Sequence, residues 1–201
     1  MGELNPFMKR VLERAPRGGA GVTDWAFKHW SAAGKVTEEA LGLLPVPGVD
    51  AKRFLGRVMD LDRYKGPIPH VVDSRIIADP RFPQPEKARF YQRVNIPLLG
   101  DVQQEIAIEL AGEHAGYEIA AWTMLGPETD ALSTRNGIRG QYNDGAWLVA
   151  PGVVGYALSS APRRDDVGFL KWKALTTGAD VAASKVIRDN IAAMARWAAR
   201  P

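Results

Sequence analysis

Residues 179–199 read ADVAASKVIRDNIAAMARWAA, and the spacing of their side chains decides the fold. The pattern predicts one amphipathic helix with Asp180 as its N-cap, because its apolar positions recur at the helical period. At about 1.5 Å per residue the helix would be about 31 Å long, enough to span a small domain. Its apolar stripe consists of Ala183, Val186, Ile187, Asn190, Ile191, Met194 and Trp197.

The chain before this helix has the pattern of a β-sheet. Seven segments rich in β-branched and aromatic residues span 71–78, 88–96, 102–110, 117–125, 134–142, 146–150 and 153–160. Turn-forming residues at 112–116 and 143–145 predict hairpins, so consecutive strands should pair antiparallel in a meander. Such a sheet has one apolar face that needs cover. We therefore expect it to curl around the 179–199 helix.

The N-terminal part contributes shorter elements. Residues 3–14 have the spacing of a short helix, and the glycine-rich stretch 17–21 is typical of a flexible linker. Residues 24–32 and 35–44 look extended, although Glu38 and Glu39 leave the second segment open to a helical interpretation. Asp50 is a plausible N-cap for the first of two short helices. The chain is thus divided into an N-terminal helix and linker, 1–23, and one main domain, 24–201.

Composition limits the class of protein. The 201 residues are 46% hydrophobic and 24% charged, in the globular range, and suffice for one domain with a substantial core. They include no cysteine, which excludes a disulfide scaffold, an iron–sulfur site and a thiol nucleophile. No apolar run approaches the roughly 20 residues of a membrane span, and the N-terminus lacks the pattern of a secretory signal. We expect a cytoplasmic protein.

Charge says little about partners. The formal net charge is +3, and the basic residues are spread along the chain, which argues against nucleic acid as a partner. Transient contact with an anionic membrane surface stays open beside the more ordinary interpretation of a solvated surface. His29, His70 and His114 lie far apart in the sequence and predict no metal site, and no cofactor-binding motif occurs.

A family resemblance is carried by the order of the elements and by four segments. These segments are VMDLDRY at 58–64, which Ser74-Arg75 follow at the entry to the next strand, NIPLL at 95–99, GAWLVAP at 145–151 and NIAAMA at 190–195. Over roughly residues 24–199 the chain resembles the START and polyketide cyclase/dehydrase (SRPBCC) superfamily. The resemblance implies an α+β helix-grip fold, a curved antiparallel β-sheet wrapped around the long C-terminal helix. It also implies an internal hydrophobic cavity for a sterol, phospholipid, fatty acid or polyketide.

Two segments depart from the family pattern. Many START sequences have an Arg-Asp pair shortly after the proline of the third strand, where this chain reads GDVQQE at 100–105. The stretch before the last helix, DDVGFLKWK at 165–173, replaces the usual glycine-isoleucine-proline stretch. These departures predict an unusual pocket entrance. Residues 126–133, a loop of turn formers at a strand end, form the natural lid, with Leu132 as its cap.

Side-chain alternation selects the polar candidates for a ligand site. Gln92 has the parity of the apolar residues on its strand and should face inward, whereas Glu105 should face outward. Asn190 lies on the apolar stripe and needs a partner, either a sheet residue or a ligand hydroxyl or carbonyl. Arg139 could neutralise a carboxylate or phosphate, or lie on the surface. The full set of candidates is Phe90, Gln92, Ile106, Ile108, Trp122, Met124, Arg139, Trp147, Tyr156, Ile187, Asn190, Ile191 and Met194.

Three functions fit these residues. The first is a carrier or sensor that binds one hydrophobic small molecule without chemistry, which the lack of cysteine and of clustered histidine favours. The second is an aromatase/cyclase-type enzyme using the same cavity, with Tyr156, Arg139 and Gln92 as candidate catalytic groups. The third is a protein-interaction module regulated by a ligand.

Which face of 117–125 points inward stays open, because Ile119 and Trp122 argue for opposite faces.

Overall fold

The computed structural model describes residues 4–96, 99–126, 137–169, 172 and 179–200, with side chains from residue 183 onward in the last range. Its helices are α1 (Pro6–Arg14), α2 (Ala51–Val58) and α3 (Ala179–Ala198). Its strands are β1 (Ala26–Trp30), β2 (Glu39–Pro45), β3 (Val71–Ile77), β4 (Lys87–Ile96), β5 (Gly100–His114), β6 (Tyr117–Met124), β7 (Ile138–Ala150) and β8 (Val153–Pro162). The predicted N-cap side chain of Asp180 and most of the predicted lid, including Leu132, lie outside the described residues.

All eight strands form one curved sheet in the order β1-β2-β8-β7-β6-β5-β4-β3. Neighbours in this order pair antiparallel, so β3 to β8 form the predicted meander, and β2 adds to the free edge of β8. Beyond the end of β6, β5 meets β7 in a short parallel contact at Val102 and Gln103. Together with α3, this sheet confirms the predicted α+β helix-grip fold.

The predicted turn at residues 143–145 is wrong, because β7 runs through it as one strand. Turn-forming residues here make cross-strand contacts instead: Asn143 Oδ1 accepts from Trp122 Nε1 at 2.8 Å, and Asp144 Oδ1 accepts from Thr123 Oγ1 at 2.7 Å. Gly145 faces the Trp122 ring. The other predicted hairpin is confirmed with a tighter turn, in which Ala115 and Gly116 have positive φ as two-residue turns require.

Helix α1 covers the outer face of the sheet. Asn5 caps it by accepting from the Met8 backbone N–H at 2.8 Å. Phe7, Met8 and Val11 are buried in a second apolar cluster on this face. The following stretch, predicted to be flexible, is hydrogen-bonded to the β5–β6 turn, as Gly18 N–H donates to the carbonyl oxygen of residue 115 at 2.8 Å. The division of the chain at residue 23 stays a prediction.

A buried ion pair joins α1 to the sheet. Arg10 donates two hydrogen bonds to the Glu39 carboxylate, at 2.8 and 2.6 Å, and Trp30 Nε1 adds a third at 2.7 Å. The Glu39 side chain is fully buried, so these donors replace the water it loses on folding. The pKa of Arg10 is raised by this hydrogen bond.

Helix α3 packs on the inner face, mainly against β2, β8 and α2. Ile187, Ile191 and Met194 are buried as the apolar stripe predicts. The helix approaches β2 closely at Gly42, where a Cβ atom would lie 2.4 Å from Ile187 and 2.3 Å from the Trp25 ring.

Among the described helices, none is long and apolar enough to cross a membrane.

This close approach can be tested by adding one methyl group. We expect Gly42→Ala to lower the free energy of unfolding by about 1–3 kcal/mol, since α3 or Trp25 must move to admit it. Gly56→Ala is the matched control: position 56 is exposed on α2 with open space around it, so alanine should raise stability by about 0.5–1 kcal/mol. Urea unfolding measures both, and a wild-type midpoint for Gly42→Ala would contradict the packing.

Candidate functional site

A cavity of about 220 Å³ lies between the concave face of the sheet and α3. Most of its wall comes from β3 to β8, and α3 contributes Val186 and Asn190. Eight of the residues expected to bind a ligand line it: Phe90, Gln92, Ile106, Ile108, Trp122, Trp147, Tyr156 and Asn190. The predicted cavity-facing parity of β4 and β5 therefore agrees with this geometry, while their role in binding stays a prediction.

The other five candidates lie outside the described wall. Ile187, Ile191 and Met194 are packed in the main core, one row further around α3 from Val186 and Asn190. Met124 has the parity of Trp122 but lies at the end of β6, beside Gly140. The position of Arg139 is set by an ion pair, described next.

Arg139 is held by a carboxylate away from the cavity. Its guanidinium donates to both oxygens of Asp166, at 2.9 and 3.0 Å, and its backbone N–H donates to the same side chain at 3.0 Å. These contacts lower the pKa of Asp166. Glu105 faces away from the cavity as predicted, yet it is buried and pairs with Arg89 Nε at 3.0 Å. Both arginines are thus neutralised outside the cavity.

Aromatic rings form one side of the cavity. Tyr156 lies between Trp122 and Trp147, with ring centroids 5.4 and 4.5 Å away, and Phe54 meets Trp147 edge-on at 5.5 Å. The Trp122 indole lies directly over Gly145, where a Cβ atom would be 2.0 Å from it. The inward face of β6 is therefore that of Trp122, and Ile119 belongs to the outer cluster.

Tyr64, which is buried, and Tyr156, which is partly buried, supply neutral hydroxyl groups to the wall. Burial raises the pKa of Tyr156 far above its usual value of 10.0, and a hydrogen bond with Asn190 partly opposes this shift. Burial also raises the pKa of Tyr64, whose hydroxyl donates to the Val58 carbonyl at 2.5 Å. Of the two partners that the sequence left open for Asn190, a sheet residue and a ligand group, this interaction favours the sheet residue.

Sequence reasoning missed several polar wall residues, including Gln104 and Asn143. Gln104 was predictable, because the alternation that turns Glu105 outward turns Gln104 inward with Ile106. Asn143 was hidden by its apparent place in a turn. His70 lines the rim, where its side chain is exposed and its φ is 64°. No described residue of the wall is an aspartate, glutamate, lysine or arginine.

No protein-family model and no curated protein matches the sequence. Solved structures do match. A STAR-related lipid transfer protein from Xanthomonas axonopodis aligns with a TM-score of 0.69 and 13% identity, covering 89% of this chain and 95% of that one. Human STARD10 aligns at 0.65 and 15%, covering 98% and 81%. Human StAR-related lipid transfer protein 5 aligns at 0.65 and 12%, covering 94% and 90%. The chain therefore has a START-like fold.

The raised pKa of Tyr156 should be visible in the pH dependence of stability. An unfolded tyrosine loses its proton near pH 10, whereas the raised pKa keeps folded Tyr156 protonated. The folded state then binds the extra proton, so stability falls as pH rises above 10, by about 1.4 kcal/mol per pH unit for each such tyrosine. We expect Tyr156→Phe to reduce this slope by about that amount in urea unfolding.

The measurement carries its own control. Unfolding at pH 7 gives the constant loss caused by removing the hydroxyl group, and only the additional change above pH 10 reports its titration. Tyr64→Phe should flatten the slope to a similar extent, since burial is the largest cause of the shift at both residues. A slope in Tyr156→Phe equal to that of the wild type contradicts the assignment.

Proposed function

We propose that this chain binds one hydrophobic small molecule in the cavity between the sheet and α3, and transports or senses it. The observation that supports this most is the space of about 220 Å³ behind an aromatic wall. An engineered apolar cavity of about 150 Å³ binds benzene, so this volume suits a larger ligand. The structural neighbours that are lipid transfer proteins support the same function.

Affinity in such a site would come from apolar burial. Each Å² of apolar ligand surface removed from water contributes about 25 cal/mol, before the cost of immobilising the ligand. The wall is suited to this because Phe90, Trp122 and Trp147 present apolar surfaces and are themselves buried. Rigid aromatic groups of this kind lose little entropy when a ligand packs against them.

Exchange of the ligand would involve transient contact with a membrane surface. Phe169, in the segment before α3, is 72% exposed, and the basic residues Arg163 and Arg164 precede it. An exposed aromatic ring can insert into the interfacial region of a bilayer, whereas the charges of Arg163 and Arg164 are offset by Asp165 and Asp166, which lie nearer to Phe169 in the chain. The proposal includes the cytoplasm as the compartment.

The cyclase alternative has less support from the described residues. A cyclase of this type needs a general acid or base within reach of its substrate. Of its three candidates, Gln92 does not titrate, Arg139 pairs with Asp166 outside the wall, and the pKa of Tyr156 is raised. His70 at the rim is the further titratable group that such a mechanism could use.

A larger side chain that fills the cavity should weaken ligand binding. We expect the fluorescent apolar probe N-phenylnaphthylamine to bind the wild type, and Ile108→Trp to weaken this binding about tenfold or more, because the indole occupies ligand space. Leu110→Trp is the matched control, since Leu110 is on the same strand but exposed. Equal probe binding by both variants and the wild type would falsify the cavity as the site.

A second measurement separates binding from transport. Native mass spectrometry of the gently purified wild type should show the chain with additional mass that denaturation removes, and Ile108→Trp should lack it. Transfer of that ligand between vesicles distinguishes a carrier from a sensor. Additional mass retained by Ile108→Trp in full would place the ligand elsewhere.

A further inference from the structure

We infer that the cavity selects an uncharged ligand whose polar end carries a hydrogen-bond donor and an acceptor, recognised by the side-chain amides of Gln92, Gln104 and Asn143. This inference rests on the proposed function and narrows its ligand class. It sets aside fatty-acid carboxylates and phosphate-bearing lipid head groups as the buried part of the ligand.

Two glutamines face each other across neighbouring strands of the cavity wall. Gln92 on β4 and Gln104 on β5 are directly opposite each other and both line the cavity. Directly opposed side chains begin about 4.5–5.5 Å apart at Cβ, so one small polar group can reach both amides. Gly140 makes room for this arrangement, because a Cβ atom there would lie 3.1 Å from Gln104 Oε1.

These amides have unused hydrogen-bonding groups. Within the described part of the chain, neither Gln92 nor Gln104 has a side-chain hydrogen-bond partner. Asn143 Oδ1 accepts from Trp122 Nε1. An indole N–H can only donate, which fixes the amide oxygen of Asn143 toward the ring and leaves its NH₂ group to donate elsewhere. The cavity thus offers both donors and acceptors, as a hydroxyl or carboxamide requires.

The charge of the cavity wall determines whether an ionised ligand can be buried there. The described wall contains no permanently charged side chain, and the nearby cations Arg89 and Arg139 are paired with carboxylates outside it. Among the described residues, three titratable groups face the cavity: Tyr64 and Tyr156, which burial keeps protonated, and His70, which is exposed to water at the rim. A buried carboxylate would therefore lose its hydration without gaining a counter-charge, which is far more costly than burying a neutral amide.

Two naphthalene derivatives of matched shape test this selectivity. At pH 8, measured by tryptophan quenching and calorimetry, naphthalene carboxamide should bind at least about a hundredfold more tightly than naphthalene carboxylate. Equal affinities, or tighter binding of the carboxylate, overturn the inference. The proposed function is judged separately by N-phenylnaphthylamine: if that probe fails to bind as well, the cavity itself is not a binding site.

The pH dependence gives an independent readout. If only the protonated acid enters, the apparent affinity for the carboxylate should rise about tenfold per unit as pH falls from 8 to 5. His70→Gln should leave this slope unchanged, because the titrating group belongs to the ligand. A flat profile, or a slope lost in His70→Gln, contradicts entry as the neutral acid.

Variants test whether the glutamine side chains bind the polar end of the ligand. Gln104→Leu should weaken carboxamide binding about tenfold more than it weakens N-phenylnaphthylamine binding, and Gln92→Arg should favour the carboxylate. The control Gln141→Leu makes the same change at an exposed position on β7. Equal losses for both probes in Gln104→Leu overturn the role of its amide. The two-ligand comparison on the wild type stands even where a variant fails to fold.

Discussion

The packing of α3 against one side of the curved sheet is the constraint on which the rest of the structure depends. The helix is held at β2, β8 and α2, and Gly42 lets it approach the sheet closely. Ile187 and Ile191, on the central row of its apolar stripe, fill that contact. The adjacent row, Val186 and Asn190, lines the cavity. Core and cavity are therefore two consequences of one helix position.

This division explains which parts of the site could be predicted from sequence. The period of 179–199 identifies a buried face, but the pattern is the same whether an apolar residue fills space or borders it. Met194 and Ile191 could not be distinguished from Asn190 by spacing, because the difference arises from where the sheet lies. Strand parity was more informative, since alternate residues must face opposite sides of a sheet. It placed Gln92 and Phe90 correctly and would also have found Gln104.

The predicted turn at 143–145 failed for a physical reason specific to the cavity. Asparagine, aspartate and glycine favour turns when their side chains bond locally. Here Asn143 and Asp144 bond across strands to Trp122 and Thr123, and Gly145 leaves room for the indole. Local propensity was overridden by the contacts that hold one aromatic ring in the wall. Disagreement between propensity and structure thus coincides with the candidate site.

The polar groups of the cavity carry a cost that a ligand would offset. Amides without protein partners do not contribute the stability that an apolar side chain of the same size would give in that position. A ligand that binds the folded state alone adds stability by mass action, in proportion to the logarithm of its concentration over its dissociation constant. Since Gln92 and Gln104 weaken the empty fold and strengthen the loaded one, stability and ligand choice are coupled through the same pair. A wall of leucines in their place would stabilise the chain and lose its means of discrimination.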